Sequence, residues 1–240
     1  MLSKNQVKFI RGLKKKKIRQ THRLFLAEGI KVVEELINSS FNIHKIYCTE
    51  SYINPFNISD IQIITEKELT MISDFSSPNQ VIGIFEIPRE KELIKTGLTV
   101  ALDEVNDPGN LGTIIRLCDW FGISQLICSE NTVDCFNQKV VQASMGSLGR
   151  VTVSYVDLET YLKEEERVIY GTFLNGTNLY KSKLDADAVI VLGNEANGIS
   201  DPIKNLVHQK ITIPQFGSNQ RTESLNVATA TAIFLSEFRR

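Results

Sequence analysis

Two short apolar runs near the carboxyl end of the chain, each opening into a polar loop with glycine, constrain the fold most. The first reads Ala188-Val-Ile-Val-Leu-Gly-Asn-Glu-Ala-Asn-Gly-Ile199. The second reads Lys210-Ile-Thr-Ile-Pro-Gln-Phe-Gly217, resumes at Glu223-Ser-Leu-Asn226 and ends in an apolar stretch reaching Phe238. Val, Ile and Leu in runs of four or five, bounded by Gly and Pro, predict fully buried strands of a parallel sheet. Loops at the carboxyl ends of such strands are where α/β folds place ligands. The site is therefore expected in residues 188–238.

The rest of the chain extends this pattern. Residues 98–103 read as a buried strand, followed by an Asp107-Pro-Gly-Asn110 turn and a helix carrying Leu111, Ile114, Ile115, Cys118 and Phe121. In this reading Asn110 caps the helix. Strands at 125–129, 150–156 and 168–174 alternate with helices at 136–145 and 158–165, which predicts a parallel sheet covered on both faces. Before it, strands at 24–27, 43–48, 61–65 and 81–87, with helices after Gly29 and at 66–73, make a small α/β module. The charged stretch 89–97 reads as a linker, giving a basic module at 1–95 and an α/β/α domain at 96–240.

Charge is segregated between these parts. The net charge is −1, yet nine of the 27 bases and none of the 28 acids fall before residue 28. Residues 4–18 predict one basic amphipathic helix, with Val7, Ile10, Leu13 and Ile18 docked and the lysines outward. Lys14, Lys15, Lys16, Lys17, Arg19 and Arg23 are the candidate contacts to a polyanion, nucleic acid first. The alternative is an ordinary solvated helix. No run approaches a membrane span. Cys48, Cys118, Cys128 and Cys135 lack paired spacing and read as buried thiols of a reducing cytoplasm. The three histidines suggest no metal site.

Dinucleotide, P-loop and nucleophile-elbow motifs are absent, and Gly146-Ser-Leu-Gly149 reads as a helix stop. What remains is polar residues at strand-to-helix junctions: Asn110 and Arg116, then Glu195, then Ser224 and Asn226. Each also has a structural reading. Arg116 lies six residues into an otherwise apolar helix, where a structural ion pair would explain it. Glu195 could cap a turn, and Ser224 and Asn226 a helix.

Three segments taken together resemble one family. Leu102-Asp-Glu-Val-Asn-Asp-Pro-Gly-Asn-Leu-Gly-Thr-Ile-Ile-Arg116, Leu192-Gly-Asn-Glu-Ala-Asn-Gly198 and Ile213-Pro followed by Glu223-Ser-Leu-Asn-Val-Ala228 are similar, in order, to the three motifs of the SpoU/TrmH-type RNA ribose 2′-O-methyltransferases of the SPOUT class. The first module, through Gly12-Leu-Lys-Lys-Lys-Lys17 and Phe25-Leu-Ala-Glu-Gly29, resembles the substrate-binding domain of many members. The resemblance implies a deep trefoil knot, an S-adenosyl-L-methionine cofactor and a homodimer formed through the C-terminal domain. It implies cofactor contacts at Leu192, Gly193, Ile213, Ser224 and Leu225. Arg116 matches the family's catalytic arginine, with Asn110, Glu195, Ser224 and Asn226 orienting it and the ribose. Arginine stays protonated, so its expected role is to stabilise the 2′-alkoxide or hold a phosphate. Ribosomal RNA is the expected substrate, because a basic accessory domain suits a large folded RNA. The alternatives are a tRNA enzyme or a catalytically idle RNA-binding or ribosome-assembly protein. One departure is that Gln215 follows Pro214 and the loop leading to Ser224 is longer.

Overall fold

The structure, a computed structural model, describes residues 1–52, 61–217 and 223–240. It divides into two compact units, residues 1–89 with 134–150, and residues 90–133 with 151–240. The insertion of 134–150 into the first unit is a departure from the sequence reading, which kept that stretch in the second domain.

The first unit opens with α1 (Lys4–Gly12), α2 (Lys16–His22), β1 (Leu24–Glu28) and α3 (Ile30–Ile37). It continues with β2 (Ile43–Cys48), β3 (Ile61–Ile63), α4 (Glu66–Ile72) and β4 (Val81–Glu86). The sheet order is β1-β4-β2-β3, with β4 antiparallel to β1 and β2, and β2 parallel to β3. Ser3 and Gln6 form a reciprocal capping box that starts α1.

The single helix expected over 4–18 is broken. Leu13 is buried, and Lys15 turns extended to cap α2. Arg19 fills the gap, its guanidinium donating to Leu13 O at 3.0 Å and Lys14 O at 2.8 Å. These oxygens lie at the end of α1, where helical partners run out. Ile10 and Leu13 enter the core beside Leu24, Leu69 and Ile82, with Val7 and Ile18 packed on it.

The second unit holds β5 (Thr99–Leu102), α5 (Pro108–Trp120), β6 (Gln125–Ser129), β7 (Thr152–Val156), α7 (Leu158–Lys163) and β8 (Val168–Asn178). It ends with β9 (Ala188–Leu192), α8 (Asp201–Lys204), β10 (Gln209–Thr212) and α9 (Val227–Phe238). The order is β10-β8-β9-β5-β6-β7 and all five pairings are parallel. Every residue of β5, β6 and β9 is buried. The continuous apolar runs thus reflect strands covered on both faces. The strand expected to stop at 174 continues to Asn178, following β10 through a register shift at Lys210/Ile211.

The chain between β6 and β7 carries α6 (Gln138–Ser144), which belongs to the first unit. Phe136 packs on Phe25 with ring centroids 4.8 Å apart. Asp134 pairs with Arg19, Gln138 Nε2 donates to Glu28 Oε1, and Arg150 pairs with Glu35 at 2.7 Å. Gly146 and Gly149 lie against Glu35 and Ser39, where an added Cβ would stand 2.3 and 2.5 Å from their side chains. The 146–149 stretch stops the helix, as expected, in a left-handed Met145 and a short 3-10 turn. All four cysteines are buried, and none of them forms a disulfide. No helix among the described residues is long and apolar enough to cross a membrane.

Candidate active site at the carboxyl ends of β5 and β9

The loops after β5 and β9 and the N-cap residue of α9 meet through a directional string of side chains. Asp107, not Asn110, caps α5: its Oδ1 accepts from Asn110 N at 2.8 Å, and Pro108 occupies the first helical turn. The expected cap is corrected, and the Asn110 amide is released for long-range contacts. Its Nδ2 donates to Glu195 Oε1 at 2.8 Å, and its Oδ1 accepts from Asn226 Nδ2 at 2.9 Å.

The direction of this string is set at α9. Asn226 caps that helix, its Oδ1 accepting from Ala228 N at 3.0 Å and Thr229 N at 3.2 Å. With its oxygen facing two N–H groups, Asn226 turns its NH2 to Asn110. Asn110 must then offer oxygen to Asn226 and NH2 to Glu195. Asn226 therefore fulfils its capping reading and joins the cluster as well.

Glu195 sits in a tightly bound turn. Asn194 and Gly198 exchange backbone hydrogen bonds at 3.0 and 2.9 Å. Gly193 is required by close approach, since a Cβ there would stand 2.1 Å from Gly198 C and 2.2 Å from Ile199 N. The Asn194 side chain, which sequence reasoning missed, caps Ala196 N and Asn197 N and donates to Glu104 O at 2.8 Å. Asp103, also missed and 4% exposed, accepts from Ser200 N at 2.7 Å. The only sequence signal was an Asn in a Gly-bounded loop, a turn-former whose partner lies 90 residues away.

Arg116 departs from its structural reading. It is exposed, on the α5 sector that also carries Thr113 and the 83%-exposed Trp120. Among the described residues it has no hydrogen-bond or ion-pair partner, so the structural ion pair is not formed. The cation is left facing solvent.

Of the implied cofactor residues, Leu192 is buried at the end of β9, Gly193 and Ile213 are half-buried, and Ser224 and Leu225 are exposed. Residues 218–222 of the longer loop lie outside the described residues. The set contains no charged side chain; Leu174 within β8 (69% exposed) and Phe216 after β10 (81%) are further exposed apolar side chains. Such a lining suits an adenosine-bearing cofactor gripped by main-chain groups and apolar contact. A different cavity, of about 780 Å3, opens at the amino end of β8 around Lys95, Glu165, Arg167 and Asp187. There the buried Arg167 guanidinium bonds Glu165, Gly97 O and Thr99 Oγ1 and holds the Glu165 carboxyl below its usual range. None of the expected site residues lines it.

The basic candidates separate. Lys15, Lys16 and Lys17 are exposed, and Lys14 is half-buried and paired with Asp74. Arg23 is exposed, with its guanidinium on Ile87 O at 3.0 Å and Pro88 O at 2.6 Å. Arg19 is corrected: at 2% exposure, capping α1 and paired with Asp134, it is a structural residue with no face for a phosphate. No group of three or more potential metal ligands occurs among the described residues.

Comparison with known proteins agrees with this arrangement. The SpoU rRNA Methylase family matches residues 97–236, and the MRM3-like substrate binding domain matches residues 4–83. The 23S rRNA (guanosine(2553)-2′-O)-methyltransferase RlmP of Bacillus subtilis is 31% identical, over 99% of this chain and 97% of its own length. An AdoMet-bound rRNA methyltransferase from Sinorhizobium meliloti superposes with a TM-score of 0.86 at 30% identity, covering 100% of this chain and 95% of that one. A TrmH-family protein from Porphyromonas gingivalis gives a TM-score of 0.86 at 38% identity, covering 100% of this chain and 98% of that one. With the family's motif segments joined in one cluster and matches spanning both units, this chain belongs to the SpoU rRNA Methylase family.

Proposed function

We propose that this protein methylates a ribose 2′-OH of ribosomal RNA, using S-adenosyl-L-methionine. The observation that carries the reading is the Asn226–Asn110–Glu195 string at the strand ends where an α/β sheet binds ligands, with an exposed Arg116, partnerless among the described residues, on the same helix as Asn110. The cofactor supplies an electrophilic methyl group when bound. Leu192, Gly193, Ile213, Ser224 and Leu225 would hold it. Glu195 and Asn110 present acceptors and donors fixed by the α9 cap, suited to orienting a ribose hydroxyl. In well-oriented cases such positioning supplies about 7 kcal/mol or more of a barrier. Arg116 stabilises the negative charge that develops as the hydroxyl loses its proton. The need for a 2′-OH makes the substrate RNA.

The finer reading follows the family. The last strand and helix thread a deep trefoil knot, and the C-terminal domain pairs with a second copy, which the exposed Trp120 on α5 supports. Lys14, Lys15, Lys16, Lys17 and Arg23 offer the first unit's charge to RNA in the cytoplasm. An idle RNA-binding protein is disfavoured by the presence of Arg116, Glu195 and Asn226 together. Mapping 2′-O-methyl sites in RNA from cells with and without the gene tests the proposal. One ribosomal site should disappear; loss of a tRNA site instead would move the substrate class, and no loss would end the enzyme reading.

A further inference from the structure

The Glu195 turn is fastened from outside itself. At its start Asn194 Nδ2 reaches Glu104 O at 2.8 Å, and at its end Ser200 N reaches Asp103 Oδ2 at 2.7 Å. Both anchors belong to the loop after β5, the segment that leads into Asn110. The anchor carbonyl is itself fixed. Glu104 adopts φ 57°, in the left-handed region that an ordinary side chain enters at a cost. Its N–H is held by Ser129 Oγ at 2.9 Å and its carboxylate by Asn131 Nδ2 at 2.8 Å.

Asn194 serves both sides of this junction with one amide. Its oxygen is spent on Ala196 N and Asn197 N, which shapes the turn around Glu195. Its nitrogen is spent on Glu104 O, which ties the turn to the β5 loop. Glu195 is exposed and, among the described residues, its carboxylate has the Asn110 amide as its partner. An exposed glutamate has many rotamers and gains little by itself from one exposed contact. What keeps its carboxylate at Asn110 is the backbone beneath it.

We propose that Asn194 is a positioning residue for methyl transfer, holding Glu195 on Asn110 by tying the 194–198 turn to the Glu104 carbonyl. The proposal rests on the methyltransferase reading. A misplacement of about 1 Å in a catalytic constellation costs on the order of 100-fold in rate. Loss of the tie therefore lowers kcat while leaving the fold intact.

The test uses the full-length protein, radiolabelled S-adenosyl-L-methionine and ribosomal RNA isolated from cells lacking the gene. Asn194→Asp keeps an oxygen for Ala196 N and turns a second oxygen onto Glu104 O. Asn194→Ser keeps a cap and is too short to reach that carbonyl. Both should lower kcat by roughly 10- to 100-fold, with cofactor affinity by calorimetry changed less than about threefold. In a Glu195→Gln background the same substitutions should add less than about twofold, because residues acting through one another are non-additive. Activity within twofold of wild type, an equal loss in both backgrounds, or a loss of cofactor affinity matching the loss of rate would each overturn the positioning role. If one variant unfolds on heating far below wild type, the other decides. Wild-type protein that binds cofactor and methylates no RNA would instead defeat the methyltransferase reading on which the proposal stands.

Discussion

Asn110 and Asn226 lie 116 residues apart, and their amides meet at 2.9 Å with the orientation of both set by the first turn of α9. Because Asn226 commits its oxygen to the helix, the polarity of the contact passes through Asn110 to Glu195. Asn110→Asp keeps the acceptor for Asn226 and opposes a carboxylate to Glu195. Its kcat should fall by on the order of 100-fold with melting temperature near wild type, because the contact is solvent-exposed. Undiminished turnover would show that the string is not part of the reaction.

Arg116 offers a fixed positive charge with no partner among the described residues. Arg116→Lys retains charge and loses the planar fork. Its rate should fall by roughly 100- to 1,000-fold, the cost of losing a donor to a developing oxyanion. If arginine stabilises the alkoxide without taking its proton, the pH–rate profile of the surviving activity keeps its shape. A new break near the lysine range, or full activity, would count against that role.

Arg19 and the neighbouring lysines should behave oppositely. Arg19→Met removes one partner of a buried pair and strips the end of α1 of its donors, so it should destabilise the first unit by about 3 kcal/mol. The salt dependence of RNA binding should stay as in wild type. Neutralising Lys15, Lys16 and Lys17 to Gln should leave stability unchanged and flatten that dependence, its log–log slope falling by up to ~0.9 for each phosphate no longer neutralised. Equal slopes in both variants would remove the distinction.

Gly193→Ala tests the close crossing beneath the Glu195 turn. The added methyl meets backbone atoms of Gly198 and Ile199 at 2.1 and 2.2 Å, where no side chain can swing aside. The turn must shift, at a cost of about 1–3 kcal/mol. Weaker cofactor binding and loss of activity are expected together. Wild-type affinity by calorimetry would show that the crossing relaxes freely.

Burial pushes the Glu28 carboxyl above its ordinary 4.5, against the opposing pull of the Ser73 hydroxyl and Asp74 N–H. The folded state then binds its proton more tightly than the unfolded chain. Its contribution is complete below 4.5 and is lost as pH rises through the higher folded value. Glu28→Gln stays neutral at every pH and so removes this titration. Urea unfolding should show wild type losing stability relative to the variant from about pH 4.5 towards neutrality. Parallel curves would sink the assignment.

Much of this protein is readable in its chain. The runs at 98–103, 125–129 and 188–192 announce buried parallel strands, because consecutive apolar residues without polar alternation fit a strand covered on both faces. The motifs around Asn110, Glu195 and Asn226 point by themselves to a site at strand ends. Tertiary structure decided who partners whom. Arg19 looks in sequence like one more base in a basic arm, yet it turns inward because the end of α1 leaves carbonyls unsatisfied and Asp134, 115 residues on, supplies the counter-charge. Arg116, for which composition alone left a structural ion pair open beside the catalytic role, is exposed and has no partner among the described residues. The 134–150 stretch reads as part of the second domain and packs in the first, through Phe136 and Gln138. Periodicity records which face of an element is apolar. It does not name the element that covers that face, nor the distant polar group that completes a charge or an amide.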